Sequence, residues 1–175
     1  MGADTVQLVD SKGNTIGQAT KESVHLPPGT LHRAVSVVLL SPEKRVLLQR
    51  RAAKKYHFGG IWANSCCTHP YGDESAIVAA HRAVKSELGL DCDLQPIGEF
   101  TYRAVDLVSG LVEHEFDHVF VGTTDGEIRP NPEEVEATSW VTLPEIEAMM
   151  SNANHDLAPW FAQVIALARR SQLFV

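Results

Sequence analysis

The longest apolar run in the 175-residue chain is Ala34–Leu40, AVSVVLL, broken only by Ser36. A helix that crosses a bilayer needs about 18 consecutive apolar residues. A run this short, rich in β-branched residues and followed by the turn SPEK, reads instead as a buried strand. Beyond the turn, RVLLQR (45–50) reads as a second strand, so 34–50 is expected to form a hairpin. A buried strand needs covering layers, and the rest of the chain supplies them. Val6–Val9 and Thr15–Ala19 flank the hairpin-like turn SKGN. Ile77, Ala80, Val84 and Leu88 recur at helical spacing with Gly89 as a stop, which predicts a helix over 74–88. Segments 94–105, 112–123 and 137–141 read as strands. Segments 143–150 and 159–170 read as helices, the first opened by Thr142 and Pro144. Strands come first and helices last, which predicts a mixed α/β (α+β) fold with a central sheet.

Two stretches resist a periodic reading. VHLPPGTLHR, with Pro27, Pro28 and Gly29, is expected to be a loop between two histidines. Residues 52–75 mix Gly, aromatic and polar side chains. A loop that long in a compact domain is usually functional or hides short elements.

The length suits one domain spanning 1–175. Fifteen Lys and Arg against 22 Asp and Glu leave a net charge of −7, which argues against a nucleic-acid partner. Neither a secretory signal nor a membrane segment is visible, and a myristoylation site is unsupported because position 6 is Val. Cys66, Cys67 and Cys92 are odd in number and two are adjacent, so neither a disulfide framework nor a CxxC zinc pair is expected. A reduced, cytoplasmic compartment follows.

Three features point to chemistry. Glu113 and Glu115 lie two apart in a strand pattern, so both carboxylates face one side. Their repulsion is relieved by a cation, and His25, His32 and His69 complete a mixed nitrogen and oxygen ligand set suited to Mn²⁺, Zn²⁺ or Mg²⁺. In NSCCTHP (64–70), Cys67 and His69 share a face and Cys66 takes the other. On this pattern alone Cys67 is a nucleophile, an acid–base group or an inert buried thiol. Lys21, Arg51, Lys54 and Lys55 form a basic set on an acidic background, where an anion such as diphosphate would sit.

The segments RRAAKK (50–55), GIWANSCCTHP (60–70), ESAIVAAHRAVKSELG (74–89), FTYRA (100–104), EHE (113–115) and APW (158–160) carry a family likeness in their order and spacing. From about Lys21 to Trp160 the chain resembles the type I isopentenyl-diphosphate Δ-isomerases of the Nudix superfamily. The resemblance implies a Nudix α/β/α sandwich with a mixed central sheet, extended by residues 1–30, which contribute Lys21 and His25. It implies metal ligands at His25, His32, His69, Glu113 and Glu115, with Cys67 beside them. It implies catalytic roles for Cys67, Glu115 and Tyr102, a Mg²⁺ shared by Glu87 and the substrate diphosphate, and substrate contacts from Lys21, Arg51, Lys55, Thr68 and Trp160. The partner is then a small diphosphate, handled by a monomer without nucleic acid or membrane. Departures from the hydrolytic Nudix box are informative. Thr68 stands at a Gly position, Ala83 follows Arg82 in place of Glu, and Ser86-Glu87 replaces a Glu pair. Two hydrolytic ligands are therefore missing, which disfavours the alternative of a metal-dependent Nudix hydrolase.

Overall fold

A computed structural model describes residues 5–152 and 156–174. Its spine is β3 (His32–Leu40), which runs parallel to β8 (Val112–Thr123) from His32↔Glu115 to Leu40↔Thr123. On its other edge β3 meets β6 (Cys66–Thr68) in antiparallel register, Ser36 opposite Cys67 and Val37 opposite Cys66. The side chains of β3 alternate between two cores. Val35, Val37 and Leu39 pack with Ala79, Ala80, Ala83, Val84 and Leu88 of α2 (Ala76–Leu88). Val38 and Leu40 pack with Ile146 of α3 (Leu143–Ser151) and Phe161, Val164 and Ile165 of α4 (Phe161–Arg169). Both faces of the strand are thus covered, which explains its nearly continuous apolar run. Ser36 breaks that run because it lies on the second face where the sheet becomes polar.

The remaining strands extend one mixed sheet. β1 (Thr5–Val9) and β2 (Thr15–Thr20) form the expected hairpin and join β3 at Leu8↔His32. β4 (Val46–Arg51) pairs with β5 (Trp62–Ala63) and β9 (Val135–Val141), and β7 (Gln95–Val105) pairs with β8. The 34–50 hairpin is much slighter than expected. β3 and β4 share one register pair, Leu40↔Val46, and then diverge to other partners. The expected loop at 24–33 also begins differently, because α1 (Lys21–His25) ends in it, capped by the Thr20 side chain on Ser23 N–H. The 52–75 stretch holds the short strands β5 and β6. At the end of α2, Gly89 takes φ 69° and its N–H closes on Val84 and Lys85 carbonyls.

Candidate active site

Five side chains from four parts of the chain meet at one end of the sheet. α1 brings His25, the first residue of β3 is His32, the segment after β6 brings His69, and β8 brings Glu113 and Glu115. Each offers a ligand atom, and these atoms lie within 4.8 Å of one another, all on buried residues. His25 Nε2 is 3.0 Å from Glu113 Oε2, and His69 Nε2 is 2.7 Å from Glu115 Oε1. The Nδ1 atoms of His25 and His32 lie 2.6 Å from the Lys21 carbonyl and 2.8 Å from the Thr30 carbonyl. A carbonyl only accepts, so each Nδ1 carries a proton, and each Nε2 is turned towards the cluster. The Nε2 atoms of His32 and His69 face each other at 3.2 Å, a repulsive arrangement unless a proton or cation lies between. Five such groups suit a divalent metal ion.

Electrostatics support that fit. Burial pushes the His69 imidazole down to about 4, against the pull of Glu115. Burial also opposes protonation of His32, but the hydrogen bond and charge of Glu115 with the charge of Glu113 outweigh it and raise its pKa. Burial would raise both carboxylates. Hydrogen bonds from His25 and the proximity of His57 hold Glu113 well below the carboxylate range, and His32 and His69 lower Glu115. Two buried carboxylates kept ionised beside three imidazoles form a ready cation cage.

Above the cage lies a cavity of about 120 Å³, edged by Cys67, Glu115, Tyr102 and Trp160. The Tyr102 hydroxyl donates to Glu115 Oε2 at 2.5 Å. Cys67 Sγ donates to Asn64 Oδ1 at 3.4 Å, and burial pushes its thiol up to about 12. Cys66 lies on the opposite face, fully buried in the core against α2. The alternation of the two cysteines is therefore as the sequence predicts. Trp160 meets Phe58 edge-on, with ring centroids 5.6 Å apart, and the Arg51 guanidinium lies 5.6 Å from its ring centre.

Part of the cavity wall is ionic. Lys21, Arg51, Lys55, Thr68 and Glu87 all reach the cavity. Burial, followed by the charges of Lys55 and Arg51, lowers the Lys21 pKa. Crowded cations in an acidic protein are a site for a polyanion. Glu87 is buried, with Oε2 held by Gln49 Nε2 at 2.9 Å, and burial raises its pKa. Lys54 does not join this wall. It is exposed and pairs with Glu133.

Several residues at the site had no local signal. Lys55 pairs with Glu134, which also edges the cavity. His57 Nε2 lies 2.8 Å from Glu113 Oε1 without the alignment of a hydrogen bond. Arg82 forks onto Glu74 at 2.8 and 2.9 Å and donates to the His69 carbonyl at 2.8 Å. Asp117 continues the face of Glu113 and Glu115 and accepts from Ser36 Oγ at 2.7 Å.

Known proteins resemble the chain over most of its length. The NUDIX domain family matches residues 30–164. The chain is 45% identical over 165 residues to an isopentenyl-diphosphate Δ-isomerase of Streptomyces coelicolor, covering 94% of this chain and 83% of that protein. It is 44% identical over 163 residues to one from Nocardia farcinica, covering 93% of each. Among solved structures, a Deinococcus radiodurans protein superposes with a TM-score of 0.75 at 17% identity, covering 94% of this chain and 98% of that one. At that identity the likeness speaks for the fold alone.

Proposed function

Because the chain belongs to the type I isopentenyl-diphosphate Δ-isomerases of the NUDIX superfamily, we propose that its cavity interconverts isopentenyl and dimethylallyl diphosphate, with Cys67 and Glu115 transferring the protons. The reaction moves a double bond in isoprenoid biosynthesis. A proton adds to the terminal alkene carbon and leaves a tertiary cation. A proton then departs from the carbon nearer the diphosphate, and the internal alkene forms. The site must supply an acid and a base and exclude water, which would trap the cation as an alcohol.

The observation that carries this reading is the convergence of a thiol, a carboxylate hydrogen-bonded to a phenol, and an indole on one small cavity. Cys67 enters as a neutral thiol, since burial pushes it up to about 12. Glu115 is held ionised by His32 and His69. In these states the thiol carries a proton to give and the carboxylate can take one; the reverse assignment requires a proton to reach Glu115 first, for which the Tyr102 hydroxyl is the adjacent donor. The Trp160 face stabilises the cation by its quadrupole, about 2 kcal/mol when desolvated.

His25, His32, His69, Glu113 and Glu115 would hold one divalent ion, Mn²⁺, Mg²⁺ or Zn²⁺, with Cys67 next to it. Glu87 would share a Mg²⁺ with the substrate. When bound, these ions fix Glu115 and neutralise the diphosphate. Lys21, Arg51, Lys55 and Thr68 bind the diphosphate, which is remote from the moving bond. Their binding energy positions the alkene. α2 presents only Glu87 to the cavity as a carboxylate, because Ala83 is buried in the core and Ser86 stands in the acidic position. That poverty of acid disfavours hydrolysis.

We also read the chain as one domain, with residues 1–30 adding Lys21 and His25, and as a monomer in the reduced cytoplasm. Its three cysteines are unpaired, and no described helix is long and apolar enough to cross a membrane. Incubation with isopentenyl diphosphate and Mg²⁺ tests the function. The allylic product is acid-labile and the starting material is not. Release of phosphate without an acid-labile product would point to hydrolysis instead.

A further inference from the structure

Asn64 sits between β5 and β6 and is fully buried. Its Nδ2 donates to the carbonyls of Val37 at 3.1 Å and Cys66 at 2.8 Å. Those two acceptors decide which end of the amide is nitrogen. Its Oδ1 therefore faces the cavity side, where it accepts from Trp160 Nε1–H at 3.1 Å and from the Cys67 thiol at 3.4 Å. All four hydrogen-bonding positions of the amide are used. The nitrogen half ties β6 to β3. The oxygen half touches two side chains that edge the cavity.

We infer that Asn64 is a positioning residue for the isomerisation, one oxygen that sets the direction of the Cys67 thiol and the tilt of the Trp160 indole together. This rests on the function proposed above. A thiol hydrogen rotates freely until an acceptor captures it. The other nearby oxygen, Ser36 Oγ, is 3.9 Å away and donates its own hydrogen to Asp117. The indole is packed by Phe58, Tyr102 and Arg51, and its N–H bond to Asn64 adds a directional constraint on the ring. Proton transfer to an alkene tolerates little misplacement, and about 1 Å can cost roughly 100-fold in rate. A buried amide needs donors for its oxygen in any role; here both donors are side chains that edge the cavity.

The test combines kinetics with a spectroscopic readout. Asn64→Leu keeps the volume and loses every hydrogen bond, whereas Asn64→Asp keeps an oxygen for the thiol and the indole. The Leu variant is expected to lose about 10- to 100-fold in kcat, with KM and tightly bound metal unchanged. The Asp variant is expected to retain more turnover than Leu even where it melts lower. In ¹⁵N spectra the Trp160 indole N–H, assigned by its loss in Trp160→Phe, should shift in the Leu variant while the Trp62 and Trp140 signals stay. If the Leu variant does not fold, Asn64→Ser, whose hydroxyl is too short to reach both donors, is read in the same way. Wild-type kcat in the Leu variant (or in the Ser variant where Leu does not fold), an unmoved Trp160 indole signal, or parallel loss of kcat, KM and metal would overturn the inference. A wild-type protein that fails to isomerise would instead overturn the proposed function, and the indole signal would still report the hydrogen bond.

Discussion

The Tyr102 hydroxyl and Glu115 are locked together at 2.5 Å on neighbouring strands, in register as Tyr102↔Glu115. The other Glu115 oxygen is held by His69 at 2.7 Å. One carboxylate therefore faces the histidine cluster on one side and a phenol on the other. Tyr102→Phe removes the phenolic hydrogen and leaves Glu115 Oε2 buried without that donor. A lost bond to a charged group is worth about 1.5–3 kcal/mol. The expected result is a fall of roughly 10- to 100-fold in kcat with metal content intact. Because a hydrogen bond to the ionised form lowers a carboxylate's pKa, its loss should move the acidic limb of the pH–rate profile to higher pH. An unshifted limb would count against the role of Tyr102.

The adjacent cysteines should separate cleanly. Cys67→Ala is expected to keep its fold and tight metal and lose nearly all turnover. Cys66→Ala should keep most turnover and lose about 1 kcal/mol of stability, as for a small buried hydrophobe. An epoxide analogue of the substrate, followed by peptide mapping, should label Cys67. Labelling of Cys66 would contradict the site.

Two metal positions should behave differently. His32→Ala removes a nitrogen from the buried cage and should lower tightly bound metal in the isolated protein. Glu87→Gln keeps the hydrogen-bonding shape beside Gln49 but loses charge, and should raise the Mg²⁺ concentration needed for turnover. Metal analysis and Mg²⁺ titration check the pair. Equal loss of tight metal in both variants would collapse two positions into one.

Acid should release the metal and loosen the fold together. His69 is held down at about 4, below the ordinary imidazole value of about 6.5. Its contribution to stability is thus present above about 6.5 and is lost as pH falls towards 4. Glu113 and Glu115, both lowered, act in the same direction at lower pH. His32, raised, opposes them in the upper part of the window. Thermal unfolding and metal retention measured from pH 8 to pH 4 should both decline. Unchanged retention at pH 4 would show that protons do not compete for the cage.

What the sequence disclosed followed physical range. The pair Glu113 and Glu115, the face shared by Cys67 and His69, and the α2 pattern are all local periodicities, and each appears in the structure. The joining of β3 to β8 is a pairing of residues about eighty positions apart, invisible to any local period. β5 and β6 are two and three residues long, too short to repeat anything. α1, at five residues, failed for the same reason beside a Pro-Pro-Gly turn. Asn64 and His57 act through what folding brings to them. An isolated Asn or His in a polar loop carries no mark of that.

The most direct measurement is turnover of isopentenyl diphosphate in D₂O with Mg²⁺, read by mass and NMR spectra of the product. Isomerisation by protonation places solvent deuterium in a methyl group of dimethylallyl diphosphate. The expected result is such incorporation in the wild-type protein, its loss in Cys67→Ala, and no release of phosphate from either. Phosphate release without deuterated product, or full incorporation by Cys67→Ala, would contradict it.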